Sequence, residues 1–147
     1  MATAMETEHK ILLTSAEVAT LWTSYMNDSL ANCVITTFLT HVEDQGIRSI
    51  LDFALQLSQS HVQKVKSILQ EEKVPIPDGF SEKTDVNKEA PRLFTDDFYL
   101  FYLQNIGKIG LEGYSLGLSN AARLDICEYF TQCLNESAQL LNKSTEI

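Results

Sequence analysis

Few side chains in this 147-residue chain suit metal or acid–base chemistry, and their spacing limits what they can do. Of three histidines, His9, His41 and His61, only the last falls on a periodic apolar line. His61 follows Ile47, Leu51, Ala54 and Ser58 and precedes Val65 and Ile68 in steps of three and four, which keeps side chains on one helical face. An imidazole there is predicted to be buried, and a buried polar ring needs partners. A di-metal centre in a helical bundle takes a Glu from each of two helices and a Glu-x-x-His from each of the other two. Here the residue three before His61 is Ser58, and no histidine follows His61. The nearest substitutes in the last apolar run are Cys133 and Glu136. A complete di-iron centre, or any other cofactor, is not expected.

A lesser site is the alternative. Counting outward from a turn at Asp44–Gln45 brings Asp28 level with His61, and aligning Arg48 with Arg123 sets His61 opposite Glu136. Asp28 and His61, with Glu136 or Glu112, are the residues that would share one iron, manganese or zinc ion. The simpler expectation is a core histidine hydrogen-bonded to Asp28, Tyr25 or Asn32; Tyr114 and Tyr102 suit both. No phosphate loop, Gly-x-Gly-x-x-Gly or His-Glu-x-x-His is present, and no serine-nucleophile elbow is expected, since the glycines between 107 and 117 fall in a helical repeat. Cys33 falls about five residues, roughly 7 to 8 Å along a helix axis, from the level of His61 and reads as a small buried hydrophobe.

Composition narrows the class of protein. Twenty acids against 11 Lys and Arg give a formal charge of −9, with no basic run, which disfavours nucleic acid and anionic membranes as partners. No stretch approaches the roughly 18 apolar residues of a membrane span, and the start MATAMETEHKILL, with early acids and no long apolar run, predicts no export signal. Three cysteines without Cys-x-x-Cys spacing predict reduced thiols and a cytoplasmic location. The chain reads as a flexible arm over residues 1–12 and a single domain over 13–147.

The elements that must position His61 are four helices. Val74 to Phe94 holds all three prolines, so helix stops near Glu72 and resumes at about Asp96, with a crossover over about 73–95. Thr14-Ser15-Ala16-Glu17 has capping-box form and opens the first helix. Its inward face is either Val18, Leu21, Tyr25, Asp28, Asn32, Ile35 and Leu39 or the neighbouring Trp22, Ser29, Cys33 and Thr36. Gly46 is expected in the turn before the second helix, about Ile47 to Glu72. The third, about Asp96 to Asn120, holds four of the six glycines. Ile106, Gly110, Gly113 and Gly117 are assigned to one face, for close internal packing or a subunit interface, and a homodimer is expected. The fourth helix carries Ile126, Phe130, Cys133, Ser137 and Leu140 after a break at Asn120–Ala122.

Two hairpins joined by a long crossover form the ferritin-like arrangement of an all-α four-helix bundle. The runs LTSAEVATLWTSYMNDSLANCV, LDFALQLSQSHVQKV, VPIPDGF, APRLF and GYSLGLSNAARLDICEYF resemble an uncharacterised family of spore-forming bacteria. That family is a domain of unknown function grouped with ferritin-like and spore-coat-protein-F-like bundles. The resemblance covers about Leu12 to Lys143 and implies the fold, an association with spores and self-pairing, but brings no activity. A non-catalytic structural or interaction module is therefore the expected function, with a divergent metal-binding bundle as the alternative.

Overall fold

The computed structural model describes residues 11–147, so most of the expected N-terminal arm, His9 included, lies outside the described residues. Five helices and no strand occur among them: α1 (Ser15–Leu39), α2 (Gln45–Glu71), the short α3 (Glu82–Asp85), α4 (Asp96–Ser119) and α5 (Leu124–Glu146).

Local chemistry sets the helix ends. Thr14 and Glu17 exchange side-chain and backbone hydrogen bonds at 2.9 and 3.1 Å, the capping box read from the sequence. Asp44 caps α2 by accepting from the Ile47 amide at 2.9 Å. Gly46 is consequently the second residue of α2 and not a turn residue, correcting the expectation; its φ is not positive. At the other end of α2, Lys73 takes a φ of 56° while its amide reaches Gln70 O and the Val74 amide reaches Leu69 O. This paired arrangement satisfies the last carbonyls and stops the helix before the prolines act. The crossover contains α3, which the proline-rich composition did not suggest; Ser81 caps it through the Lys83 amide.

Helix α1 packs along α2, and α4 along α5, more extensively than any other pairs. Buried side chains form two apolar clusters. One gathers Ile35 and Phe38 of α1 with Ile47 and Leu51 of α2, Leu103 of α4 and Leu140 of α5. The other gathers Leu21, Val65, Leu69, Ile126, Phe130 and Cys133. Since the start of α1 lies with the end of α2, and its end with the start of α2, these two helices run antiparallel.

The two candidate inward faces of α1 are both partly correct, because α1 is covered on two sides. Leu21, Asp28 and Ile35 face the helices, while Ser29 and Cys33 are buried against the crossover. There Gly79, at φ 61°, lies so close to Tyr25 and Ser29 that a Cβ would meet them at 2.7 and 3.0 Å, and the Phe80 amide donates to Ser29 Oγ. Trp22 is exposed and belongs to neither face.

Candidate functional site

Each long helix carries polar residues between its apolar stretches, and these meet at mid-height. On α1 they are Ser24 and Asp28, on α2 Ser58 and His61, on α4 Tyr114, and on α5 Tyr129, Glu136 and Ser137. His61 Nδ1 lies 3.1 Å from Tyr114 Oη and 3.4 Å from Asp28 Oδ1, and its Nε2 lies 3.3 Å from Glu136 Oε1. Tyr114 donates to both Asp28 oxygens, at 3.1 and 2.9 Å. Ser24 bridges Asp28 Oδ2 at 3.2 Å and Tyr129 Oη at 2.8 Å.

The donors and acceptors assign the proton state. Tyr114 spends its only proton on Asp28, so its oxygen can only accept from Nδ1, and a carboxylate at Nε2 accepts as well. Both ring nitrogens therefore carry hydrogen, and His61 is an imidazolium between two carboxylates. Burial opposes that charge, but the hydrogen bond and field of Asp28 overcome it and raise the pKa from 6.5 to about 11. Cys133 faces the same ring; burial pushes its thiol up, so it adds to that effect only at high pH, where it ionises. Burial also holds the Tyr114 and Tyr129 hydroxyls well above the ordinary range, so both remain donors.

Asp28, His61 and Glu136, set level by counting from the sequence, are brought together. The two carboxylates engage opposite edges of the ring, however, and no group of three His, Cys, Asp or Glu among the described residues surrounds a common point suited to a metal ion. Glu112 is exposed and makes no hydrogen bond or ion pair with this group. The expected partners Tyr25 and Asn32 are not partners: Tyr25 packs on Gly79, and Asn32 Oδ1 is buried without a hydrogen bond. Tyr102 packs edge-on against Phe38 instead, and burial pushes its pKa up to about 12. Ser24 and Tyr129 were missed; the available signal was that Ser24 precedes Asp28, and Tyr129 precedes Cys133, by one helical turn.

The glycines of α4 divide. A Cβ on Gly110 would meet Ser137 Oγ at 2.5 Å, and one on Gly117 would meet the Phe130 ring at 2.5 Å, so both let α5 approach. Gly113 meets nothing within 4 Å and is not a close-packing position within the chain, which corrects its assignment to one packed strip. It borders a cleft of about 490 Å³ between α1 and α4, whose floor includes Asp28, Ser58, His61 and Ser137. The string Gly113-Tyr114-Ser115-Leu116-Gly117 has the letters of a serine-hydrolase elbow, where none was expected. It lies inside α4 with Ser115 exposed, and not at the strand-to-helix turn that strains such a nucleophile.

An all-helical chain with a charged polar layer in its core is thus the class that fold and site define. The chain belongs to the family described as "Protein of unknown function (DUF3231)", which matches residues 2–147. No curated protein matches it. Among solved structures it is similar to a candidate spore coat protein of Bacillus halodurans C-125, with a TM-score of 0.83 and 19% identity over 92% of this chain and 87% of that one. It is also similar to a conserved hypothetical protein of Mycobacterium tuberculosis, with a TM-score of 0.76 and 13% identity over 91% and 98% of the two chains. At these identities the likeness concerns the fold alone. No helix of the described residues is long and apolar enough to cross a membrane.

Proposed function

We propose that the chain is a single-domain, ferritin-like four-helix bundle acting as a non-catalytic structural or interaction module. The observation that carries this reading is the partnering of His61, whose Nδ1 lies against Tyr114 and Asp28 and whose Nε2 lies against Glu136. With both nitrogens engaged in this way, and each carrying hydrogen as the donor and acceptor roles above imply, the ring offers no lone pair to a metal or a substrate proton. Asp28, His61, Tyr114 and Glu136 thus satisfy one another as a structural cluster. Its interaction surface is an apolar patch at the start of α4, where Leu93 and Phe101 are 77% and 64% exposed and Phe94 stacks on Phe98. That patch suits a homodimer. The similarity to a candidate spore coat protein supports a spore-associated role, and three free cysteines suit a reducing cytoplasm.

The second reading, a mononuclear metal site, is favoured by the convergence of Asp28, His61 and Glu136. It requires His61 to lose a proton and one carboxylate to leave its edge of the ring. Elemental analysis of protein purified without chelator or affinity tag separates the two. We expect no stoichiometric iron, manganese or zinc, and no rise in Tm on adding them. A metal-dependent rise lost in both His61→Ala and Asp28→Ala would establish the second reading. By light scattering the same preparation is expected to be dimeric, and a monomer at high micromolar concentration would refute the dimer.

A further inference from the structure

The cleft between α1 and α4, at about 490 Å³, falls within the roughly 300–1,000 Å³ of small-molecule sites. Its walls are chiefly apolar, with Leu30 from α1 and Ile106, Ile109 and Leu116 from α4. Leu30, Ile109 and Leu116 are 44%, 59% and 59% exposed along it. The space persists because Gly113 leaves its part of α4 without a side chain.

Two hydroxyls lining this space face it without a protein partner among the described residues. Ser58 and Ser137 are each only 6% exposed, and neither side chain makes a hydrogen bond among the described residues. Buried serines elsewhere behave differently: Ser29 and Ser144 bond to carbonyls of their own helix, and Ser24 bonds within the polar layer. Among the described residues the buried side-chain oxygen without a partner is Asn32 Oδ1, so the Ser58 and Ser137 hydroxyls are reached from the cleft, and what fills the cleft, water or a bound molecule, is what they hydrogen-bond.

Charge restricts what that molecule can be. Among the described residues no lysine or arginine lines the cleft. The single imidazolium at its floor is already flanked by Asp28 and Glu136, leaving the group one negative charge in excess. A carboxylate or phosphate would enter without a counter-ion, against that charge and in a region of low polarity.

We propose that the cleft binds a neutral amphiphile, an apolar chain or ring bearing a hydroxyl or amide that Ser58 and Ser137 hydrogen-bond while the apolar part lies between α1 and α4. The site is distinct from the dimer patch and independent of the absence of catalysis.

Calorimetric titration with 1-octanol and with octanoate tests this in the full-length protein. Saturable binding of 1-octanol is expected, with octanoate at least tenfold weaker. Ser58→Ala together with Ser137→Ala should weaken 1-octanol by about three- to tenfold, the range for lost neutral hydrogen bonds, without lowering Tm. Gly113→Leu should fill the entrance and abolish binding with no loss of Tm, since its Cβ meets nothing within 4 Å. Non-saturable uptake of 1-octanol, equal affinity for octanoate, or undiminished binding in the serine double variant or in Gly113→Leu would each overturn the proposal. So would conversion of a wild-type dimer to a monomer by Gly113→Leu, because the cleft would then seat a second copy of the chain.

Discussion

The two apolar ends of the core and the Asp28–His61 pair between them are both buried but stabilised in different ways. Leu21, Leu51, Ile126 and Leu103 are all inaccessible to solvent and contribute through area removed from water and close packing, which are nearly indifferent to pH. Asp28 and His61, 6% and 5% exposed, sit in the same column of helices but lose hydration when buried. Their attraction and hydrogen bonds must first offset that loss. The ends supply free energy of folding, while the middle fixes which helix faces which. An Asp, a His, a Tyr and a Glu from four different helices satisfy one another only in a single register.

The comparison can be broken with two truncations. Leu51→Ala, in an apolar end, should cost about 3–5 kcal/mol by urea denaturation at every pH at which the protein folds, since a lost side chain and a cavity do not titrate. His61→Ala should cost a similar amount, about 3–5 kcal/mol, at pH 6, because it leaves buried Asp28 and half-buried Glu136 without their cation. Its cost, however, should fall as pH rises. The folded pKa of about 11 lies above the unfolded 6.5, so the folded state holds a proton that the unfolded state releases in between. The stabilisation from charged His61 is complete below pH 6.5 and is lost as pH climbs towards 11, leaving only the cavity penalty. Equal pH dependence for the two variants would mean that the polar layer behaves as ordinary core.

How far these layers could be read from sequence follows from the same contrast. The buried seams of α2 and α5 were legible from their spacing, since each helix buries one face and Ile47 to Ile68 and Ile126 to Leu140 step along it in threes and fours, polar Ser58, His61 and Ser137 included. The levels of Asp28, His61 and Glu136 were also legible, because rise per residue is constant and the turn between α1 and α2 is short. What was not legible was rotation. Counting places two residues at one height but does not say which edge of an imidazole each will meet, nor that Tyr114 would intervene where Tyr25 or Asn32 was expected. Glu17 makes the same point. Its capping role was visible locally, but its Oε2 also accepts from the Ala122 and Arg123 amides at 3.0 Å, joining the start of α1 to the start of α5. Burial raises its pKa, but these amides and that of Thr14 outweigh burial and hold it below the usual carboxylate value. Nothing in a capping-box pattern announces a partner 105 residues away.

A smaller effect sharpens the comparison on α4, where neighbouring glycines belong to different regimes. Gly117 is buried in the apolar end against Phe130, and a methyl group there would overlap ring atoms at 2.5 to 2.7 Å. The ring is itself enclosed and cannot swing aside, so Gly117→Ala should destabilise by about 1–3 kcal/mol through overpacking. Gly113, one turn earlier, opens on the cleft, and its added methyl touches nothing. There the only change is helix propensity, which favours alanine over glycine by about 1 kcal/mol, so Gly113→Ala should raise stability by roughly that amount. Opposite signs from one substitution at two sites four residues apart, measured by thermal and urea unfolding, would place the border between close-packed core and open cleft along α4. Stabilisation at both sites would mean that α5 yields at Phe130 and that the apolar end is less tightly packed than its burial implies. Destabilisation at Gly113 would mean that the cleft closes in solution against α1, for nothing on α4 itself stands in the way of the methyl.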